Sequence, residues 1–167
     1  GGELLPLPQL PADLNAIQRT AKLTLDDKGT LRGDIHEIWT GDMAAHQRYD
    51  LRSVTKETDQ IKSVESLLSH SMTTFQILNA AVRNLPSIEL PLEWNYSIQA
   101  DLYAKATGSL LLVRPRVIGS KSSGLLETKD PREYPIEFDG PRRDTDVFEI
   151  ALPPGYEIEE VPPPVTA

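Results

Sequence analysis

The sequence predicts a mainly β fold of the α+β class: an antiparallel β-sandwich of about seven to eight strands with an inserted two-helix segment. Three observations predict it. Apolar and polar side chains alternate over Leu92–Lys105, which is typical of a strand with one buried and one wet face. Residues 42–69 have a helical period instead. The stretch Tyr134–Pro164 divides into short strands separated by turns rich in Gly and Pro.

Composition restricts the classes of function. The 167 residues are enough for one domain with a sizeable core. A net charge of −8 argues against nucleic-acid binding, because phosphate contacts require clustered Lys and Arg. The chain has no cysteine, which excludes disulfides and a Cys nucleophile. No stretch approaches the roughly 18 apolar residues that a membrane-spanning helix requires.

The first part of the chain predicts a linker followed by a hairpin. Residues 1–17 are rich in proline, which removes backbone donors, so we expect an extended linker there and a domain over residues 18–167. Arg19–Thr40 then alternates on both sides of the turn Asp26–Gly29.

Two helices are predicted between the strands, and we expect them to pack on a sheet. Asp42 is a candidate cap for the first helix, which ends near Arg52. The second helix runs from about Thr55 to Ser69. Its apolar residues, such as Val64 and Leu68, share one face.

Strands are expected again after the helices. They cover Thr74–Leu85 and Leu92–Lys105, with Trp94, Tyr96 and Ile98 on the buried face of the second. The apolar run Ser109–Val113 suits a central strand. Residues 119–130 are polar and rich in Gly and Ser, which is typical of a loop.

The last part of the chain predicts a hairpin and a further strand. Tyr134, Ile136 and Phe138 alternate in the first arm, and the second arm buries an apolar face made of Phe148, Ile150 and Leu152. Pro153–Tyr156 fits a type II turn, and a further strand is expected from Tyr156 to Ile158. We expect the natural domain to continue beyond residue 167.

Several polar residues are of types that can bind metals or transfer protons, and each has a simpler structural explanation. His36, His46 and His70 lack the spacing of a helical zinc site. The pair Asp144 and Asp146 has a spacing that can hold a hard cation, but the adjacent arginines favour ion pairs. No metal site, cofactor or catalytic residue is therefore predicted.

The candidate ligand-binding residues are few. Tyr103 lies on the wet face of the strand Leu92–Lys105, where an exposed ring can bind a glycan or a peptide. Arg48 and Arg52 are one helical turn apart and together could clamp a carboxylate; the simpler alternative is that Asp42 or Asp50 pairs with them on the helix surface. Trp94 and Tyr96 are expected in the core.

Three segments carry a resemblance to a known family. They are LPQLPADLNAIQRTAKLTLDDKGTLRGDIHEIWTGDMAAHQRYDLR, then RPRVIG, then YPIEFDGPRRDTDVFEIALPPGYEIEEVPPP. Together they resemble the region after the catalytic core in bacterial transglutaminase-like proteins, including their β-rich C-terminal domain of unknown function. The sharpest matches are the turn that contains Gly29, Gly41 with Arg48, Pro115, and the segments Tyr134-Pro135 and Leu152–Tyr156.

The resemblance implies a non-catalytic domain that packs beside a transglutaminase-like core of the same parent chain. The chemistry of that family belongs to a Cys-His-Asp set in the core, and no Cys is present here to carry it. The resemblance also implies an exported, periplasmic parent. A glycan- or peptide-binding β-sandwich module is the alternative. Exposed strand edges would allow two copies to pair as a homodimer.

Overall fold

The computed structural model describes Leu5, residues 11–119, Tyr134, Pro135 and residues 140–164. Within these residues the chain forms seven strands in two sheets and two helices, so the predicted mainly β class is confirmed. The strands are β1 (Ala16–Leu25), β2 (Leu31–Trp39), β3 (Phe75–Arg83), β4 (Leu92–Ala100), β5 (Lys105–Thr107), β6 (Leu110–Leu112) and β7 (Arg143–Ala151). The helices are α1 (Gly41–Leu51) and α2 (Glu57–Ser69).

The larger sheet has five strands in the order β3-β4-β2-β1-β7. The first three pairings are antiparallel, but β7 lies parallel to β1, so the prediction of a fully antiparallel arrangement is wrong. β7 runs in the same direction as β1, since Arg143 at its start is paired with Ala16 at the start of β1.

The β1–β2 hairpin forms where the alternating pattern predicts it. In its turn, the Asp26 carboxylate accepts hydrogen bonds from the backbone N–H groups of Lys28 and Thr30. Gly29 has a φ of 82°, which only glycine adopts without strain. Its carbonyl oxygen accepts a hydrogen bond from the N–H of Ala104, so the turn is fixed to the chain that follows β4.

The inner face of the sheet is the core of the molecule. Strands β1, β2 and β4 alternate along their length, and Leu31, Leu92 and Ile98 are fully buried. Leu51 of α1 and Leu68 of α2 pack into the same cluster, which confirms that the helical segment lies on the sheet. Further cover comes from the connection after β6 through Val117 and Ile118.

The start of α1 differs from its prediction. Thr40, not Asp42, occupies the N-cap position, and Asp42 lies in the first turn, where its charge still favours the helix dipole. The side chain of Asn15, which precedes β1, accepts a hydrogen bond from the N–H of Met43. Asn15 also contacts the start of β7, because its amide donates to the Pro141 carbonyl. One buried residue thus connects α1, β1 and β7.

Two predictions about strands are wrong, one about the position of a strand and one about its existence. Ser109–Val113 is not central: β6 pairs only with β5 in a two-stranded sheet, and Leu110 and Leu112 are 47% and 58% exposed. The strand predicted from Tyr156 to Ile158 does not form, and Ile158 is 67% exposed. The preceding turn explains this. Gly155 has a φ of 83° and the Tyr156 N–H bonds to the Pro153 carbonyl, so a type II turn is present, whose twist does not suit a hairpin.

Other boundaries shift by a few residues. The strand β4 ends at Ala100 instead of Lys105, because Leu102 has a φ of 56° and turns the chain. The apolar face predicted for β7 is less buried than expected: Phe148 and Ile150 are only half-buried, and Leu152 is exposed, since β7 lies at the edge of the sheet.

The first arm of the hairpin predicted before β7 and the loop over 119–130 lie almost wholly outside the described residues. No helix in the described part is long and apolar enough to cross a membrane.

Candidate functional site

A row of charged side chains crosses the inner face of the sheet. Asp146 of β7, Arg19 of β1 and Glu37 of β2 occupy directly paired positions on three neighbouring strands. Arg19 Nη1 donates to Asp146 Oδ1 at 3.0 Å, and Arg19 Nε lies 3.3 Å from Glu37 Oε2. The alternating charges lie where an apolar row would be expected, because each carboxylate offsets the buried guanidinium.

Glu37 is the most enclosed member of this row. Its side chain is 1% exposed and accepts hydrogen bonds from the Tyr96 hydroxyl at 2.5 Å and from Trp39 Nε1 at 2.7 Å. Burial raises the pKa of Tyr96 strongly, and the nearby carboxylate of Glu37 raises it further. Glu37 is therefore a buried acceptor enclosed by donors, which is a structural arrangement rather than an accessible base.

Arg116 completes the charge balance. Its Nη2 atom lies 3.2 Å from Asp146 Oδ2, so Asp146 is held between two guanidinium groups. Burial lowers the pKa of Arg19, but the carboxylates of Glu37 and Asp146 raise it by more, and the pKa lies above its usual value. Two cations and two anions thus form a neutral cluster that fixes β7 against β1.

The opposite face of the sheet contains a shallow groove of about 670 Å³. Two rows of mostly polar side chains cross the strands there in register. The first row is Val147, Thr20, His36 and Asn95; the second is Glu149, Lys22, Asp34, Ser97 and Asn79. These side chains line the groove, and this is the wet face that the alternation predicts.

Hydrogen bonds order part of the groove. His36 Nδ1 lies 2.8 Å from the Asn95 side-chain oxygen, to which it can donate a hydrogen bond. The Ser97 hydroxyl lies 2.5 Å from Asp34 Oδ1 and 3.3 Å from Asn79 Oδ1. The Asn95 amide nitrogen is buried and has no hydrogen-bond partner among the described residues.

The two arginines predicted to bind a ligand lie in different environments. Arg48 Nη2 donates to the carbonyl oxygens of Asn84 at 3.3 Å and Leu90 at 2.6 Å, so it fixes the β3–β4 connection to α1. Arg52 follows the end of α1 and is exposed. The structure therefore assigns Arg48 a structural contact, and a joint carboxylate clamp stays a prediction.

The aromatic rings on and beside the sheet, including Tyr103, point mainly inward. Trp94 and Tyr96 are each 2% exposed, which confirms that they belong to the core. Trp39 is half-buried and donates to Glu37. Tyr103 is half-buried, donates its hydroxyl to the Arg114 carbonyl, and has the Arg114 guanidinium 5.9 Å from its ring centre. Burial raises the pKa of Tyr103.

The histidines and the two aspartates of β7 have separate local partners. His46 bonds to the Asp42 carbonyl and His70 to the Ser66 carbonyl, each within its own helix, whereas His36 lies on the sheet. Asp144 pairs with Arg142, and Asp146 pairs with the buried cluster instead. Among the residues that the structure describes, no group of three His, Asp or Glu could hold a metal ion.

The β5–β6 hairpin presents an apolar surface that the sequence analysis missed. Leu111 turns inward and packs on the core, so Leu110 and Leu112 point away from it. Lys105 pairs with Leu112 and Thr107 pairs with Leu110. Periodicity cannot reveal the exposure of these leucines, because a continuous apolar run has the same pattern in a central strand and in a two-stranded hairpin.

Comparisons of the chain with known families, characterised proteins and solved structures found no match.

Proposed function

We propose that this chain is a non-catalytic interaction domain that packs beside the core of a transglutaminase-like protein, as part of the same exported, periplasmic parent chain. The domain supplies surface and geometry, not proton transfer. It shapes access to the cleft of the neighbouring core, and the proline-rich segment 4–11 tethers the two, since the chain enters the sheet at Ala16. The resemblance of residues 7–52, 114–119 and 134–164 to that family supports the partner.

The exposed leucines of the β5–β6 hairpin carry the proposal. A ribbon with three residues per strand is too short to be stable without packing. Leu111 provides that packing on the side that faces the core, yet Leu110 and Leu112 leave apolar surface exposed on the opposite side. Adjacent exposed apolar side chains on an ordered element are typical of a contact surface. The hairpin is therefore the surface that we expect to contact the core.

The parent protein tests this proposal directly. We expect removal of residues 18–167 to lower the thermal stability of the core and to change its activity. The double substitution Leu110→Ser/Leu112→Ser should reproduce the loss of core stability while the domain itself stays folded. The matched control is Ile88→Ser/Leu90→Ser, which changes two exposed apolar residues of the β3–β4 connection. Unchanged core stability and activity after removal of the domain would refute the proposal.

A second candidate function is binding of an extended peptide in the groove on the outer sheet face. The polar lining of the groove favours it, because side chains such as Asn95, His36 and Lys22 can pair with the backbone groups of an extended chain. Ser97 and Asn79 add neutral groups that can donate and accept. The rings that would stack on a sugar are committed to internal contacts, so a peptide suits the groove better than a glycan.

A displayed library of random heptapeptides, with a glycan array beside it, tests this second candidate. We expect enriched peptides whose binding is lost in Asn95→Ala and kept in Gln18→Ala, a change on the same face outside the groove lining. Enriched peptides that bind both variants equally, or a library without enrichment, would exclude the groove. Glycan hits that depend on Asn95 would show that the groove binds a sugar and not a peptide.

A further inference from the structure

Strand β7 is attached to the molecule differently from its neighbours. It is the only parallel strand of the five-stranded sheet, and residues 113–142 separate it from β6. Strands β1, β2, β3 and β4 already form a continuous antiparallel sheet without it. Its pairing with β1 therefore closes a long loop, and closing a long loop costs more conformational entropy than closing a hairpin does.

The packing of β7 is also weaker. The fully buried members of the core come from β1, β2, β4, the helices and the connections, and none comes from β7. Phe148 and Ile150 are half-buried, and Val147 is 51% exposed. Loss of β7 would break the Arg19–Asp146 ion pair, expose Arg19 to water and uncover Ala21 and Leu23, but it would leave the packing of the helices in place. Such segments open in sub-global steps below the free energy of global unfolding.

The edge of β1 nevertheless selects β7 specifically. Arg19 requires a carboxylate in the paired position, and Asp146 supplies it. Apolar residues are required at the next two inner positions, opposite Ala21 and Leu23. Asn15 then fixes the start of the strand, because its carbonyl accepts the Arg143 N–H. The accepting site thus recognises an acidic residue followed by two alternate apolar residues.

We propose that β7 is an exchangeable strand, and that a second copy of this chain can supply it to the edge of β1. An exchanged strand makes the same contacts as the resident one, so the exchange requires no new complementarity. The free-energy difference between the monomer and the strand-exchanged dimer is then mainly entropic, and the fraction of dimer rises with protein concentration. The separation in sequence between Ile118, which is buried in the core, and Arg143 at the start of β7 leaves enough chain for the strand to reach a neighbouring copy. The proposal is independent of the proposed function.

Single-cysteine variants test the exchange, since the chain contains no cysteine of its own. Thr24 of β1 is directly paired with Ala151 of β7, and both are exposed. Thr24→Cys and Ala151→Cys chains of different tag mass are mixed, unfolded, refolded at rising concentration and oxidised. We expect disulfide-linked heterodimers in at least about fivefold excess over a mixture of Thr24→Cys with Thr107→Cys, which lies on β5. Heterodimers at the level of that control at every concentration would overturn the proposal.

Hydrogen exchange on the unmodified full chain gives a second readout. The amides of β7 that bond to β1 should exchange at least about tenfold faster than those between β2 and β4, because they open without global unfolding. Equal protection of the two sets would show that β7 opens only when the whole domain unfolds, and would also overturn the proposal.

Discussion

Asp146 lies directly opposite Arg19 on the parallel pair β7 and β1, with its Oδ1 atom 3.0 Å from Arg19 Nη1. The pair sits on the inner face of the sheet, where the Arg19 side chain is only 5% exposed. A buried guanidinium is costly without partners, so the position of β7 and the charge of Arg19 depend on each other. Glu37 stabilises the same guanidinium from the other side.

Neutralising the two carboxylates should destabilise the chain to different extents. Glu37→Gln should lower the free energy of unfolding by about 3 kcal/mol, because it removes a fully buried charge and faces an amide N–H₂ towards other donors. Asp146→Asn should cost less, since that carboxylate is 12% exposed and water can partly replace it. Denaturant unfolding measures both, with Asp144→Asn as the control.

Asp144 pairs with Arg142 near the surface, so its substitution should change stability by less than about 1 kcal/mol. An Asp144→Asn cost equal to that of Glu37→Gln would contradict the account of the buried cluster.

Stability should fall at alkaline pH through Tyr96. The ordinary pKa of tyrosine is 10.0, and the folded-state pKa of Tyr96 is raised far above it, first by burial and then by Glu37. The neutral hydroxyl is therefore favoured in the folded chain. Its contribution is complete below pH 10 and is lost as the pH rises further, with a slope of about 1.4 kcal/mol per pH unit.

Tyr96→Phe isolates this effect, because other groups titrate equally in both chains. The variant loses a hydrogen bond to Glu37 and is less stable at neutral pH, but its stability should fall less steeply above pH 10. Urea unfolding at several pH values measures the slopes. Parallel curves for the two chains would disprove the raised pKa of Tyr96.

Substitutions of Arg48 and Arg52 should change the stability of the chain by different amounts, although both residues lie at the same end of α1. Arg48→Ala removes two hydrogen bonds to carbonyl groups of the β3–β4 connection and should cost about 1–3 kcal/mol. Arg52→Ala changes an exposed side chain and should stay within about 0.5 kcal/mol. Thermal unfolding compares them. Equal effects would mean that the Arg48 contacts do not support the fold.

Two glycines with the same backbone conformation should tolerate alanine differently. Gly29 and Gly155 have φ values of 82° and 83°, so either substitution costs about 1 kcal/mol of backbone strain. A Cβ atom on Gly29 would also lie 2.4 Å from the Ala104 carbonyl oxygen, whereas one on Gly155 meets nothing within 4 Å. Gly29→Ala should therefore cost clearly more in calorimetric unfolding, and equal costs would argue against the close approach of Ala104.

Short-range patterns predicted much of this fold. The alternation around Trp94, Tyr96 and Ile98 has one strong physical cause, a sheet with a core on one side, and those residues are buried. The Pro153–Tyr156 turn is likewise local, because Pro and Gly fix its backbone angles.

Long-range features could not be predicted in this way. The parallel direction of β7 depends on which end of the sheet the chain has reached at Arg143, and the periodicity of a strand does not report its direction. Arg19 looks like any polar residue in a strand, and its burial becomes clear only when Glu37 and Asp146 are placed on both sides of it. The groove depends in the same way on the register of five strands.

Hydrogen exchange of the β5–β6 hairpin is the measurement that most directly tests whether this chain is a docking domain. Exchange over residues 105–113 is compared between the isolated chain and the same residues within the parent protein. The account predicts added protection concentrated on the hairpin around Leu110 and Leu112, and little change in the exposed connection around Ile88. Identical exchange of the hairpin in both proteins would contradict it.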